Sequence, residues 1–419
     1  MKVIVLGGGL IGIASAWYLR QAGHEVTVME RQPAAGMETS FANGGQISVS
    51  HAEPWANPRA PLKVLGWLAK EDAPLLFRLR ADPAQWRWGL RFLMECLPSR
   101  TRRNTIQLVR LGLYSRAALQ SLRREAKLRY DELEKGILHF YSNEAEFEAA
   151  RHTAVLMREQ GCAIEILDKG RIVQVEPALK NALPHIVGAS MAPQDESGDA
   201  HQFTQALARL CAENGVNFRY GVSVQSIRGG GGRIEGVAYT EGEAGHETIA
   251  SADAYVVALG SYSPLLLRPL GIHLDVYPAK GYSATLPVER PELAYSVSLT
   301  DDEHKIVFSR LGQRLRVAGT AEFTGYDTSL NPVRCQALLK RLFQLFPGVA
   351  DPAQARFWAG LRPATPSNLP YIGKTRYNNL FLNTGHGTLG WTHCCGSGRA
   401  LADIISGRQP EVEFAFTRG

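Results

Sequence analysis

Two short stretches have residue types and spacing that suit phosphate and flavin chemistry. The first is Gly7-x-Gly9-x-x-Gly12, followed eighteen residues later by Glu30 and its neighbour Arg31. In such a run the first glycine permits a tight turn. The second lets backbone approach a pyrophosphate, and the third lets a helix pack closely on a strand. Glu30 is placed to accept hydrogen bonds from a ribose hydroxyl. The second stretch, Leu380–Gly396, reads NLFLNTGHGTLGWTHCCG from Asn379, with Gly385, His386, Gly387 and Thr388 at its centre. A strand running into Gly-His-Gly and a new helix presents backbone N–H groups to a negative charge. A reduced flavin carries such a charge at N1–C2=O, and a nicotinamide does not.

The elements that must carry these residues follow from periodicity. Lys2 to Leu6 is a short apolar run with the character of a buried strand. Leu10 to Ala22 reads as a helix closed by Gly23, and Val26 to Met29 as a second strand, so the chain opens with a βαβ start. Phe41 to Pro61 is rich in Gly, Asn, Ser and Pro and reads as loop, and residues 62 to 160 as mainly helical. Val216 to Ile227 is a candidate strand pair, and Gly229 to Gly232 a hairpin tip. Residues 272 to 326 alternate apolar and polar side chains, the pattern of an antiparallel sheet. Ala359 to Gly373 reads as loop and turn. The fold class is α/β: a discontinuous Rossmann-like dinucleotide domain from residues 1–50, 190–270 and 355–419. A substrate domain from residues 51–189 and 271–354 carries a mixed, largely antiparallel sheet and helices.

Composition narrows the function classes. The 419 residues suffice for two domains, and 21% charged residues argue against wholesale disorder. The net charge of +6 comes without a run of five basic residues, so a nucleic-acid tail is not expected. Six cysteines show neither CxxC nor zinc-ligand spacing, so a metal site is not expected and free thiols are. Cys394 and Cys395 read as two small buried residues. The opening MKVIVLGGGL resembles a signal peptide only until its three glycines. No run of 18 apolar residues exists.

Taken over nearly its whole length, the chain resembles the bacterial flavin-dependent D-amino acid dehydrogenases, within the D-amino acid oxidase and glycine oxidase superfamily. The blocks that carry the likeness are VIVLGGGLIGIASAWYLRQAGHEVTVMER, TSFANGGQIS, PWANP, DESGDAHQFTQALAR, YVVALGSYS, YPAKGYS, FWAGLRPATPSNLPYIG and LNTGHGTLGWTHCCGSG. The resemblance implies non-covalent FAD, since the block Phe357 to Gly373 lacks the cysteine that covalent relatives carry. It implies oxidation of a D-amino acid to an imino acid, hydrolysed to oxo acid and ammonia, with hydride passing from Cα to flavin N5. A respiratory quinone is the implied electron acceptor. Gly7, Gly9, Gly12, Glu30 and Arg31 are then expected at the adenosine diphosphate. Ser40, Gly44, Gly45 and Gln46 are expected in the loop beside the flavin, and Val224 at adenine. Gly260 is expected under the cofactor, with Gly385, Gly387 and Thr388 at the pyrimidine end. Arg362 matches the position that grips the substrate carboxylate, as a bidentate guanidinium can. Tyr282 is a candidate second contact to carboxylate or amine. His386 is a candidate base whose backbone can matter more than its ring, and His51 a weaker one. A neutral bound amine needs no strong base, so kcat/KM is expected to rise as the substrate amine loses its proton.

One segment stands apart. Trp55, Trp67, Trp86 and Trp88 lie within 34 residues, and residues 59 to 103 hold ten Lys or Arg against four acids. Leu62, Leu65, Leu68, Leu75, Leu76 and Phe77 are interleaved. This composition suits an amphipathic contact with anionic lipid, so a peripheral place on the cytoplasmic side of the bacterial inner membrane is expected, with the cytoplasm as the other location. The competing readings are an oxidase or dehydrogenase of glycine, sarcosine or D-proline-type imino acids, a non-catalytic membrane flavoprotein, and an NAD-binding protein.

Overall fold

The structure is a computed structural model that describes residues 1–67, 71, 73–242 and 245–418. Its N-terminal strand Lys2–Leu6 is apolar on both faces and lies at the middle of a six-stranded sheet. Strand order is Tyr371–Lys374, Leu380–Thr384, Ala254–Val257, Lys2–Leu6, Glu25–Glu30, Asn217–Tyr220. All neighbours are parallel except the edge strand Tyr371–Lys374. Strands buried on both faces read as continuous apolar runs, so the Val3–Leu6 and Val256–Val257 signals were legible. On one face lie the helices Leu10–Gln21, Ala200–Glu213 and Gly390–Ile405, sharing a core with Leu111, Ala118 and Leu119 of the long helix Pro98–Ala126. On the other lies a three-stranded sheet, Val222–Gly230, Arg233–Glu241 and Thr248–Ala250.

A second, nine-stranded sheet is mixed and largely antiparallel. Its first members are Arg356–Ala364 at the edge, then Tyr277–Pro287, Arg314–Phe323, Ile306–Leu311 and Ser298–Asp301. One face packs on the helix Pro332–Leu345 around Leu338, Leu342, Val317 and Phe308. The opposite face looks toward the first domain across a deep cavity. Helix Pro83–Glu95 closes one end of that cavity, with Trp88 and Phe92 packed on Phe323 and Tyr277.

Three expectations change. Ala359 to Gly373 is not loop: it contributes most of the edge strand Arg356–Ala364 and then Tyr371–Lys374. Gly360 and Pro363 mask the strand pattern in sequence. At a sheet edge, however, Pro363 is tolerated, and it stands opposite Pro278, another residue with no N–H to donate. Val216 to Ile227 is not a strand pair. Asn217–Tyr220 ends the parallel sheet, Gly221 turns at φ +69°, and Val222–Gly230 begins the three-stranded sheet. The expected domain division also shifts. Arg356–Ala364 belongs to the nine-stranded sheet, and Pro98–Ala126 packs in the core of the dinucleotide domain. The hairpin at Gly231–Gly232 stands where its four glycines put it, between strands that pair Gly230 with Arg233.

Candidate active site

The Gly-rich turn is built as its spacing requires. Gly7 sits at φ +105°, outside the range of other residues, and a Cβ on Gly12 would overlap the Gly7 carbonyl. Helix Leu10–Gln21 can therefore start directly on the strand. Its N-cap, Gly9, supplies no side-chain cap, and its first turn holds no acid. A Cβ on Gly9 would meet nothing closer than Ser40 Oγ at 3.8 Å, so the space above the turn is open. Ser40 Oγ accepts from the Leu10 N–H at 3.1 Å. Glu30 ends its strand with one carboxylate oxygen accepting from Gly8 N–H at 2.6 Å and the other from Gln32 N–H at 2.8 Å. Burial nevertheless raises its pKa above the ordinary carboxylate value. Arg31 is held by Glu38 at 2.6 Å and lies 4.1 Å over the Tyr262 ring.

Gly7, Gly9, Glu30, Arg31 and Ser40 border one cavity of about 1100 Å³ that runs from Gly9 and Glu30 to His386 and Thr388, while Gly12 lies outside its lining. Ser223, Val224 and Gln225 also line it, beside a register shift between Val224 and Ser226. Gly44, Gly45 and Gln46 cross its middle. A Cβ on Gly44 would meet Val307 Cγ2 at 2.6 Å, and Gly45 sits at φ +74°. Gln46 is fixed by donating to the Leu299 carbonyl at 3.0 Å and accepting from Thr300 at 3.3 Å. Gly260, at φ +52°, offers its carbonyl to Thr384 at 3.1 Å. Gly385 and Gly387 both have positive φ, and Thr388 lies in the middle of the turn Gly387–Leu389 that leads into helix Gly390–Ile405. The cavity thus has at one end a helix N-terminus that its own N-cap residue leaves without a side-chain cap, and a second helix entry at the other. Such an N-terminus suits a pyrophosphate, a helix entry suits a flavin's negative edge, and the volume matches a dinucleotide-sized ligand.

The loop after Gln46 is tied down by a residue that motif reading did not single out. Asp195 is fully buried and accepts from Val49 N–H at 3.1 Å, Ser50 N–H at 3.0 Å and Arg116 at 3.2 Å. This knot holds His51 beside His139, with ring centroids 5.7 Å apart. Ser50 Oγ and His139 Nε2 stand 3.2 Å apart, and burial pushes the His139 pKa down to about 3. Burial lowers the His51 pKa too, so neither ring is cationic at neutral pH.

Arg362 lies on the edge strand rather than in a loop, and its guanidinium borders the cavity. Nη1 donates to the Thr320 carbonyl at 2.9 Å. Among the described residues no carboxylate pairs with it. Burial, and then Arg334 nearby, lower its pKa to about 10. It is a half-buried cation on the cavity wall with no anionic partner among the described residues.

Tyr282 borders the same cavity, but its hydroxyl is committed elsewhere. Register pairs Arg362 with Ala279 and Gly360 with Gly281, so Arg362 shares a sheet face with Gly281 and the next residue, Tyr282, takes the other face. There the ring packs in the core with Leu338 and Cys335, and its hydroxyl donates to Glu322, which Lys280 and Arg78 also hold. Burial, and then the bond to Glu322, raise its pKa, and the hydroxyl is held by the sheet. His386 does border the cavity, but its ring is sealed and neither nitrogen has a partner. Burial and then His393 hold its pKa well below 6.5, so the ring is neutral and a weak base.

A family pattern described as DAO, FAD dependent oxidoreductase, matches residues 2–404. The chain belongs to this family of FAD-dependent oxidoreductases. The D-amino acid dehydrogenase of Dechloromonas aromatica (strain RCB) is 60% identical over the full length of both chains. That of Paramagnetospirillum magneticum (strain ATCC 700264 / AMB-1) is 54% identical over 99% of this chain and 97% of its own. Among solved structures, glycine oxidase from Geobacillus kaustophilus shares the fold with a TM-score of 0.77 at 23% identity, covering 100% of this chain and 99% of its own.

Proposed function

We propose that the protein is an FAD-dependent D-amino acid dehydrogenase, converting D-amino acids to 2-oxo acids and ammonia. The observation that carries this is Arg362, a half-buried guanidinium without a carboxylate partner, bordering the cavity that the Gly-rich turn opens. Support for the D-configuration comes from the two dehydrogenases at 60% and 54% identity. When bound, FAD supplies the two-electron acceptor for the Cα hydrogen. Gly7, Gly9, Gly12, Glu30 and Arg31 hold its adenosine diphosphate, Val224 its adenine side. Ser40, Gly44, Gly45, Gln46 and Gly260 bound its middle, and the backbone of Gly385, His386, Gly387 and Thr388 its pyrimidine end. No cysteine lies among these residues, which supports non-covalent binding. Arg362 fixes the substrate carboxylate, and the cavity wall orients the rest of the molecule. With His386, His51 and His139 all uncharged, amine deprotonation belongs to the substrate, and kcat/KM rises through the substrate amine pKa.

The test is an anaerobic absorbance spectrum with a panel of D- and L-amino acids. Bleaching of a flavin band by D-amino acids alone is the expected result. A yellow protein that no amino acid reduces overturns the assignment, and bleaching only by glycine, sarcosine or imino acids moves it to a related oxidase.

A second reading concerns the electron acceptor and location. Trp86, Leu90, Leu93 and Leu97 recur every three or four residues along helix Pro83–Glu95 and just past it, each more than half exposed. Trp86, Leu90 and Leu93 also border the cavity. An apolar stripe at the mouth of the site suits a peripheral contact with the membrane and a quinone as acceptor. No helix among the described residues is long and apolar enough to cross a membrane. The side chains of Leu65 and Trp67, and all of Leu68, lie outside the described residues.

A further inference from the structure

Arg362 works in the reading above only if its guanidinium is aimed, and the sheet contains a seat for it. Ala279 and Gly281 lie on the cavity face of strand Tyr277–Pro287, opposite Arg362 and Gly360 of the edge strand. A Cβ built on Gly281 would overlap Nη1, Cζ and Nη2 of Arg362, so the guanidinium lies directly on the bare glycine backbone. The second half of the seat is a bulge. Strand Arg314–Phe323 pairs Gly319 with Tyr282 but Glu322 with Lys280, one residue too many. Thr320, inside the bulge, takes the left-handed conformation at φ +56°, rare for a β-branched residue. Its carbonyl is the acceptor for Arg362 Nη1. Backbone strain of this kind is kept where function uses it.

We propose that Gly281 is a positioning residue for substrate binding. It clears the space in which Arg362 lies flat, with Nη1 spent on Thr320 and the remaining donors directed at the substrate carboxylate. This inference rests on the carboxylate-anchor reading of Arg362. The φ of Gly281 is not in the left-handed region, and the three atoms nearest an added methyl all belong to the movable end of one side chain. Gly281→Ala should therefore fold and bind flavin, with the guanidinium displaced.

The experiment is a cycle of Gly281→Ala, Arg362→Ala and the double variant, each purified with its flavin. Two quantities are read: KM and kcat for a D-amino acid, and the Kd of pyruvate from the perturbation of the flavin band. Gly281→Ala is expected to raise KM and the pyruvate Kd by about ten- to a hundred-fold, the scale of losing a charge-assisted hydrogen bond, with kcat changed less. On the Arg362→Ala background the same change is expected to add less than about two-fold. Unchanged KM and Kd in Gly281→Ala overturn the proposal, as does an equal effect on both backgrounds or a loss of flavin from the single variant. An Arg362→Ala enzyme with normal KM and pyruvate Kd instead refutes the anchor itself, so the two failures are told apart.

Discussion

Arg362 and His139 show how burial decides what a residue can do. Both are charged or chargeable groups drawn out of water, but one keeps its charge and the other gives it up. A guanidinium is so strongly basic that lowering its pKa to about 10 leaves it cationic at neutral pH. An imidazole pushed to about 3 is neutral throughout the physiological range. The His139 shift has a measurable sign. The unfolded chain takes up the His139 proton near pH 6.5, whereas the folded protein resists it until about pH 3. Its contribution to stability is therefore present above pH 6.5 and is lost as pH falls toward 3. His139→Gln keeps a polar partner for Ser50 and removes the proton. Denaturant titrations of the variant between pH 6 and 4 should show a pH slope shallower by up to about 1.4 kcal/mol per unit, one proton's worth. An unchanged slope means that the ring is already protonated in the fold. Tyr282 carries the opposite lesson: its neighbours in Lys-Gly-Tyr-Ser place it near the site, but alternation along a strand sends it to the far face.

Elements act here mostly by being pinned. The segment Gln46–His51 has little regular structure, and Asp195 supplies the acceptors that its N–H groups lack. Asp195→Asn replaces half of those acceptors with donors and leaves Arg116 without its buried partner. It should destabilise the fold by about 3 kcal/mol, the scale of a broken buried ion pair, and weaken flavin retention. Thermal melting and bound-flavin ratio check both, and a Tm within about 2 °C of the parent removes the knot from the account. Helix Pro83–Glu95 makes a different case. Charge reversal of Arg78, Arg80, Arg87 and Arg91 is a poor probe of lipid binding. Arg78 holds Glu322, Arg80 the Thr324 carbonyl, and Arg87 and Arg91 both reach Asp275. Trp86→Ser with Leu90→Ser and Leu93→Ser alters exposed surface instead. Sedimentation with phosphatidylglycerol vesicles should fall several-fold in that variant while flavin content holds. Binding that survives the three changes excludes the stripe as the contact.

At the scale of the whole molecule, the cavity is the joint between two sheets. One wall comes from the dinucleotide domain, from Gly9 to Thr388, and the other from Val307, Ala318, Thr320 and Arg362 of the nine-stranded sheet. A ligand that touches both walls stabilises the folded form by mass action. Removal of FAD should lower Tm, and stepwise return of FAD should raise it again, by about 2.7 kcal/mol of stability at a hundredfold excess over Kd. A melting point independent of FAD means that the folded protein does not bind it in preference to the unfolded chain.

Sequence by itself determined the features whose physics is local. The Gly-rich turn, the acid at the end of the second strand, the buried parallel strands, the Gly231–Gly232 hairpin and the glycines before the last helix are each set by residues within a few positions. Backbone sterics and hydrophobic periodicity act over that range. The family likeness extended this to the anchor residue. Tertiary structure alone decided which residues face one another. Gly281 beneath Arg362, the Thr320 bulge, the Asp195 knot and the turning away of Tyr282 all depend on pairing between segments tens to hundreds of residues apart. A one-residue change of register reverses every side chain in a strand, and no local signal records it.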